Sequence, residues 1–498
     1  MTSAMSAQQS GRFGLTNKTI GIGVAVFSLI EAIVSYFFVF APLYINPVFQ
    51  KCDDYNAQGM TCTVKLFGKL FASNAEKEEY QIILSLSDTI LNMAIIYLIF
   101  TGIALLLAFC MFKGLSFAKT YLIAVFGAKH IVGLAALLIP FANMRRSIMI
   151  FGVVDAIICL AFCLFFILIN NDEYIDDMLL TDDQVTAMNK RMKFGFVLYG
   201  IFMVLIVATK FAMYAYGANW SLFLGWTNDT ALAQGYTIAG LLAIALVAAI
   251  MFIREADWAM YFYAAFGGAM TIANLLAVVK RILWIFNTYM PTKALRNQGD
   301  QAAIDWFAAG NGMTTAWWIA TIFLIVAFVA SAVVALLAFN KIKSKLSFKF
   351  TADDAKPAKA VLISAGTIVL SFILTIAAYT LWHREMYAGY PIGAMDYMYF
   401  FVYGGATLFL ALAMMGGYSF TKFGTLGMYL LVISNNFINI FNVFGERAAR
   451  VAATEGYVGY NYIITAVLLI VSLVACAGIL FVFIIKGVND YMYEKRYS

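Results

Sequence analysis

Two histidines in 498 residues leave little material for imidazole catalysis or a His-rich metal site. Charge is as scarce. Asp, Glu, Lys and Arg make up 12% of the chain and apolar residues 63%, against about 25% and about 45–50% in soluble domains, which excludes a water-soluble fold. Proline is sparse, and Pro42, Pro47, Pro140, Pro291, Pro357 and Pro391 all fall in loops or at the ends of apolar runs. No run therefore carries the Pro interruption of a discontinuous transporter helix. The sequence also lacks a P-loop, a Gly-rich nucleotide turn and a HExxH zinc pattern. No cofactor and no resident metal are expected, and nucleic acid is not expected as a partner. What is abundant is 44 Phe, 28 Tyr and 24 Met, a composition suited to a surface facing hydrocarbon.

Twelve apolar stretches reach or approach the roughly 20 residues that cross about 30 Å of hydrocarbon. They lie near 19–41, 86–111, 120–142, 147–170, 194–216, 232–253, 260–284, 314–340, 360–382, 398–416, 425–445 and 461–486. These runs are continuous, unlike the alternating ten-residue segments of a β-barrel, so helices satisfy their backbones. The expected class is all-α, a polytopic integral membrane helical bundle of about 12 spans. With the amino terminus inside, inner tails and loops carry 18 Lys and Arg against 11 in the outer loops, which places both termini in the cytoplasm and the chain in the cytoplasmic (plasma) membrane. Trp220, Trp226, Trp284, Trp306, Trp317, Trp318 and Trp382 then fall at or near the outer interface, as an aromatic belt. The polar stretch before the first run has no small-residue cleavage site, so that run reads as an uncleaved anchor.

Spacing repeats in blocks of four helices. Gly114-Leu115-Ser116-Phe117-Ala118-Lys119 and Gly417-Tyr418-Ser419-Phe420-Thr421-Lys422 both read G-x-S-F-x-K, at corresponding loops of the first and third blocks. The second block lacks the hexapeptide but keeps its register: Met251-Phe252 precedes Tyr261 as Met111-Phe112 precedes Tyr121, and Tyr429 takes the same slot in the third block. The expected segments are 1–180, 181–350 and 351–498. An even number of crossings per block makes the three repeats parallel about an axis along the membrane normal.

Charges inside spans cost roughly 2.5–3.5 kcal/mol each on insertion scales, so they face protein or water and prompt a functional hypothesis. Glu31 and Lys129, the latter beside His130, fall near the midplane of their spans. Asp155 and Lys210 fall together in the outer third. One reading is a conduit in which carboxylate and ammonium groups exchange partners with a proton, ion or charged solute; the other is two ion pairs that lock helices together. Lys280 and Arg281 snorkel from an outer span end. Asn435, Asn439 and Asn442 share one helical face and either line a polar path or hydrogen-bond a neighbouring helix. Asn274 occupies the register slot of Asn442, whereas the first block has Leu134 there. The pairs Gly267-Gly268 and Gly404-Gly405 suit close helix packing.

Among the loops, Cys52 and Cys62 share the first outer one and form the disulfide candidate. Leu66, Phe67, Leu70 and Phe71 fit an interfacial helix there, and Ser73-Asn-Ala-Glu76 reads as a capping box from which a helix runs through Tyr80 into the second span. Asp53-Asp54 suits a solvated turn better than a metal-linked sugar phosphate site. Lys341, Lys343, Lys345 and Lys349 alternate with apolar residues, an arrangement for the inner membrane surface with anionic lipid as partner. Three functions follow from these features. Transport of a solute, ion or lipid is favoured by the repeats and intramembrane charges. A non-transporting scaffold or membrane-complex subunit, or a homo-oligomer, is favoured by unbroken helices and self-compensating charges. An enzyme acting on a lipid-linked substrate has the thinnest case.

Overall fold

A computed structural model describes residues 16–35, 37, 46–59, 61–65, 81–85, 89–115, 117–138, 154–168, 183, 186, 257–346, 355–386, 394–418, 421–453, 456–484 and 488. These are almost entirely helical. Seven helices among them are long and apolar enough to cross a membrane, and two shorter apolar helices, Val154–Leu168 and Tyr403–Met415, accompany them. The expected spans at 194–216 and 232–253, with Lys210, lie outside the described residues, as do Lys349 and the proposed interfacial helix and capping box of the first outer loop.

The described chain divides into two compact units. The first holds α1 (Asn17–Ser35), α2 (Asn46–Ala57), strands β1 (Thr61–Lys65) and β2 (Gln81–Ser85), α3 (Thr89–Phe112) and α4 (Phe117–Leu138). It also holds α5 (Val154–Leu168). Helix α1 packs along α3, and α3 packs on α4. Phe27, Phe126 and Phe162 stack between α1, α4 and α5, with ring centroids 4.6–6.1 Å apart. Lipid tails are as apolar as these side chains, so such packing, rather than the hydrophobic effect, holds the helices together.

The two strands correct the all-helical expectation for the first outer loop. Thr61–Lys65 pairs in parallel with Gln81–Ser85, Cys62 opposite Ile82 and Val64 opposite Leu84. The helix expected to run through Tyr80 into the second span is therefore interrupted, and α3 starts only at Thr89. The cause is local: Thr-Cys-Thr-Val and Ile-Ile-Leu are runs of β-branched and apolar residues that suit a pleated surface. Asp53 and Asp54 are exposed on α2 rather than in a turn.

The second unit contains α6 (Asp257–Trp284), which continues through a π turn at Ile285–Tyr289 into α7 (Met290–Asn297), then α8 (Gln301–Ala308) and α9 (Thr315–Ile342). Asp300 caps α8 by accepting from the Ala303 amide at 2.8 Å, and Thr314 caps α9 through the Trp317 amide at 3.2 Å. Each side chain satisfies a backbone donor that the first helical turn leaves open. Later in the chain, α10 (Ala355–Met386) joins the first unit, α11 (Ala394–Met415) joins the second, and α12 (Thr421–Ala453) and α13 (Tyr460–Ile479) return to the first. Packing thus groups α11 with α6 and α9 and separates it from its sequence neighbours. Tyr261, Ala264, Ala338, Ile342, Leu346 and Ala413 form the core of this second unit.

The two G-x-S-F-x-K hexapeptides open on one helix-end geometry. Gly114 and Gly417 sit at φ +82° and +83°, the left-handed region that only glycine enters without cost. Behind them the same pair of bonds closes the preceding helix: Leu115 N to Cys110 O at 3.0 Å with Gly114 N to Met111 O at 2.8 Å, and Tyr418 N to Ala413 O at 3.1 Å with Gly417 N to Met414 O at 3.0 Å. This is the Schellman arrangement, which satisfies carbonyls that the helix end orphans. Lys119 and Lys422, the last residues of the two hexapeptides, are both buried.

Candidate functional site

Four helices of the first unit each send polar side chains to one buried point. From α1 comes Glu31, from α3 Tyr97 and Thr101, from α4 Lys129, and from α5 Asp155 and Cys159. Two of these helices carry their pair at i and i+4, Tyr97 with Thr101 and Asp155 with Cys159, so a single helical face delivers both groups.

Glu31 is the hub. Its Oε2 forms an ion pair with Lys129 Nζ, the two side chains being 1% and 0% exposed. Its Oε1 accepts from Tyr97 Oη at 2.6 Å and from the Cys159 thiol at 3.6 Å. Lys129 fills its remaining positions by donating to Thr101 Oγ1 at 2.9 Å and lying over the Tyr97 ring, 4.4 Å from its centroid. Thr101 in turn donates to the Tyr97 carbonyl at 3.0 Å. The charge pair is therefore saturated by neighbours, the condition under which a buried ion pair is tolerated.

Asp155 is placed against Glu31, not only against its own helix. A carboxylate oxygen of each and Cys159 Sγ lie within 4.8 Å of one another, all three residues buried. The next residue on α5 anchors α4: His130 Nδ1–H donates to the Ala156 carbonyl at 2.6 Å. Glu31, Asp155 and Cys159 offer donor atoms that could hold a metal ion, but the Lys129 ammonium already rests on Glu31 and repels a second cation in a low-dielectric site.

The asparagine face of α12 has different partners. Asn435 and Asn439 both donate to Tyr379 Oη of α10, the former at 2.9 Å, and Asn442 donates to Asn439 Oδ1 at 3.5 Å. Asn436, on the adjacent edge, donates to Thr375 Oγ1 at 3.5 Å, and Thr375 meets Ser472 of α13 at 3.3 Å. Tyr429 donates to the Ser364 carbonyl at 2.7 Å, and Trp382 donates to Glu446 at 2.7 Å near the far end of α12. The stripe joins α10, α12 and α13 through neutral contacts along most of its length.

The other expected residues are dispersed. Asn274 lies on α6 in the second unit, its Nδ2 buried and without a hydrogen-bond partner among the described residues. Lys341, Lys343 and Lys345 are exposed at the end of α9 and in the turn after it, while Ile342 and Leu346 enter the second unit's core. Their alternation is that of a helix end and a turn. Arg281 does more than snorkel: it donates to the Trp317 carbonyl at 3.1 Å and to Thr321 Oγ1 at 2.6 Å. Cys52 is disulfide-bonded, whereas Cys110, Cys159, Cys163 and Cys476 are free thiols.

Sequence reasoning passed over Tyr97, Thr101 and Cys159, and over Tyr379 as the acceptor of the asparagines. A signal existed for the first three, since each belongs to a polar i, i+4 pair in an otherwise apolar run; none marked Tyr379 among 28 tyrosines. The long apolar helices and the buried ionisable cluster define the chain as an α-helical integral membrane protein. Compared with known proteins, it matches no protein-family profile, no curated protein and no solved structure.

Proposed function

We propose that this chain is a multi-pass membrane transporter that moves a solute, ion or lipid along a polar path, with the Glu31, Lys129 and Asp155 cluster as its charge-exchanging centre. The observation that carries the reading is convergence: three ionisable groups from three helices meet out of reach of solvent. A helix bundle gains little net stability from such groups, and their presence in a membrane span is explained by use. The wider architecture belongs to the same proposal: twelve spans in three parallel four-helix repeats, both termini in the cytoplasm, and the lysines after α9 resting on anionic lipid of the inner plasma-membrane face. The shared Schellman geometry at Gly114 and Gly417 supports the repeat.

A second reading, a membrane scaffold or complex subunit, is favoured by one observation: Asn435 and Asn439 both spend their amide donors on Tyr379, as helix-bonding residues would. The two readings separate in proteoliposomes on a solid-supported membrane, challenged in turn with inorganic cations, amino acids, sugars, carboxylates and nucleosides. Transport gives a transient current with at least one class, and the double variant Glu31→Gln with Lys129→Met abolishes it while the protein stays monodisperse. A folded wild-type protein silent to every class overturns transport in favour of the scaffold.

A further inference from the structure

Among the described residues, the charge count of the cluster is unbalanced. Glu31 and Asp155 are two acids, Lys129 is one base, and all three are buried. The other groups facing them are Tyr97 and Thr101 from α3, His130 from α4 and Cys159 from α5. His130 donates its Nδ1 proton to the carbonyl of Ala156, the residue beside Asp155 on α5. With both carboxyls ionised the site would hold a net negative charge away from water, which a low-dielectric interior opposes.

A carboxylate oxygen of Asp155 lies within 4.8 Å of one of Glu31, and two carboxylate oxygens brought together bond one another only through a proton. Glu31 already accepts from Tyr97, Cys159 and Lys129, so the remaining proton belongs on Asp155. A further buried polar group lies on the helix that carries Glu31. Ser28, one turn before Glu31 and on the same buried face of α1, is fully buried, and its Oγ has no hydrogen-bond partner among the described residues.

We propose that the Glu31, Asp155 and Lys129 cluster binds one proton, taken from bulk water and held on the Asp155 carboxyl against Glu31. This names the coupling ion of the transport reading and rests on it for its physiological use, though the binding itself does not. On binding, a carboxylate oxygen of Asp155 forms an O–H bond, no bond of the protein breaks, and the site becomes neutral. On release the site is left one negative charge in excess, which a cationic solute or the next proton restores.

Infrared difference spectroscopy of the purified full-length protein in neutral buffer reads the proton through the C=O stretch of a protonated carboxyl. The wild type is expected to show one buried protonated carboxyl that Asp155→Asn removes. Glu31→Gln should also remove it, because Asp155 then pairs with Lys129 as a carboxylate. Lys129→Met should double it, since two acids without a base take two protons, and Lys129→Met with Asp155→Asn should return it to one. Loss of folding in one variant leaves the other three comparisons intact. A wild type without the band, or a band unchanged in both Asp155→Asn and Glu31→Gln, overturns the proposal. So does a band that vanishes when sodium chloride is added at constant pH, which assigns the site to a metal cation. A band that behaves as expected in a protein silent on the solid-supported membrane keeps the proton site and discards transport; currents without the band do the reverse.

Discussion

The ionisable cluster on α1, α3, α4 and α5 and the asparagine stripe on α12 occupy the same compact unit, yet they are built on opposite principles, the three ionisable side chains buried and Asn435 and Asn442 of the stripe half-buried. The stripe is neutral and local: Asn435 and Asn439 meet a hydroxyl one helix away, and Asn442 meets the Asn439 amide on its own helix. The cluster is charged and convergent: its members come from four helices separated by up to 128 positions in sequence, and its neutrality belongs to the set rather than to any pair. Polar character inside a membrane span is thus not one property. Amides there adjust helix contacts by tenths of a kcal/mol, whereas formal charges impose an accounting that the whole site must close.

The sharpest way to break that contrast is to remove both acids. Glu31→Gln with Asp155→Asn strands the Lys129 ammonium, and the loss should reach about 3–5 kcal/mol, the cost of an uncompensated buried charge. Each single substitution should cost less than half as much, so thermal unfolding in detergent will be strongly non-additive. Additive singles would mean that Asp155 and Glu31 act separately. Steric substitution in the second unit serves as a control without charge. A Cβ at Gly405 would collide with the Phe266 ring of α6, so Gly405→Ala should destabilise by about 1–3 kcal/mol while leaving the cluster's infrared band unchanged.

Intermediate behaviour is expected where the stripe ends in a charge. Trp382→Phe removes the indole donor to Glu446 and should cost about 1.5 kcal/mol, the lower range for a hydrogen bond to a charged group; a melting temperature equal to wild type would show that solvent replaces it. The smallest effects belong to the stripe itself. Asn435→Leu and Asn439→Leu should each cost about 0.6 kcal/mol, measured against the same unfolding transition. A loss comparable to that of the double acid variant would erase the distinction between the two regions.

Much of this molecule is legible in its letters, for a physical reason. Ten of the twelve expected spans coincide with described helices or shorter apolar segments, because a backbone in lipid has almost no alternative to the helix. Depth along a helix is equally readable at about 1.5 Å per residue, which is why Glu31 and Lys129 were expected at one height, where they do meet. Asp155 shows the limit. Height matches it to Lys210, which lies outside the described residues, but azimuth is invisible in one dimension, so its approach to Glu31 across α1 and α5 is not legible in the letters. The strands β1 and β2 escape that reading because they lie outside the long apolar runs, where the helix loses its monopoly and a five-residue β-branched run finds a partner.

By itself, the amino-acid sequence determined that the chain is a helical membrane protein, where its charged and amide residues lie along each helix, and that acids and bases share its apolar runs. Those properties depend on composition and on a fixed rise per residue. Only the tertiary structure decided that three helices turn two acids and one base to a single point, that Tyr379 receives the asparagines, and that α11 packs on α6. Such choices are made by rotation and lateral neighbours, and in lipid these are set by side-chain fit between helices rather than by any pattern along one of them.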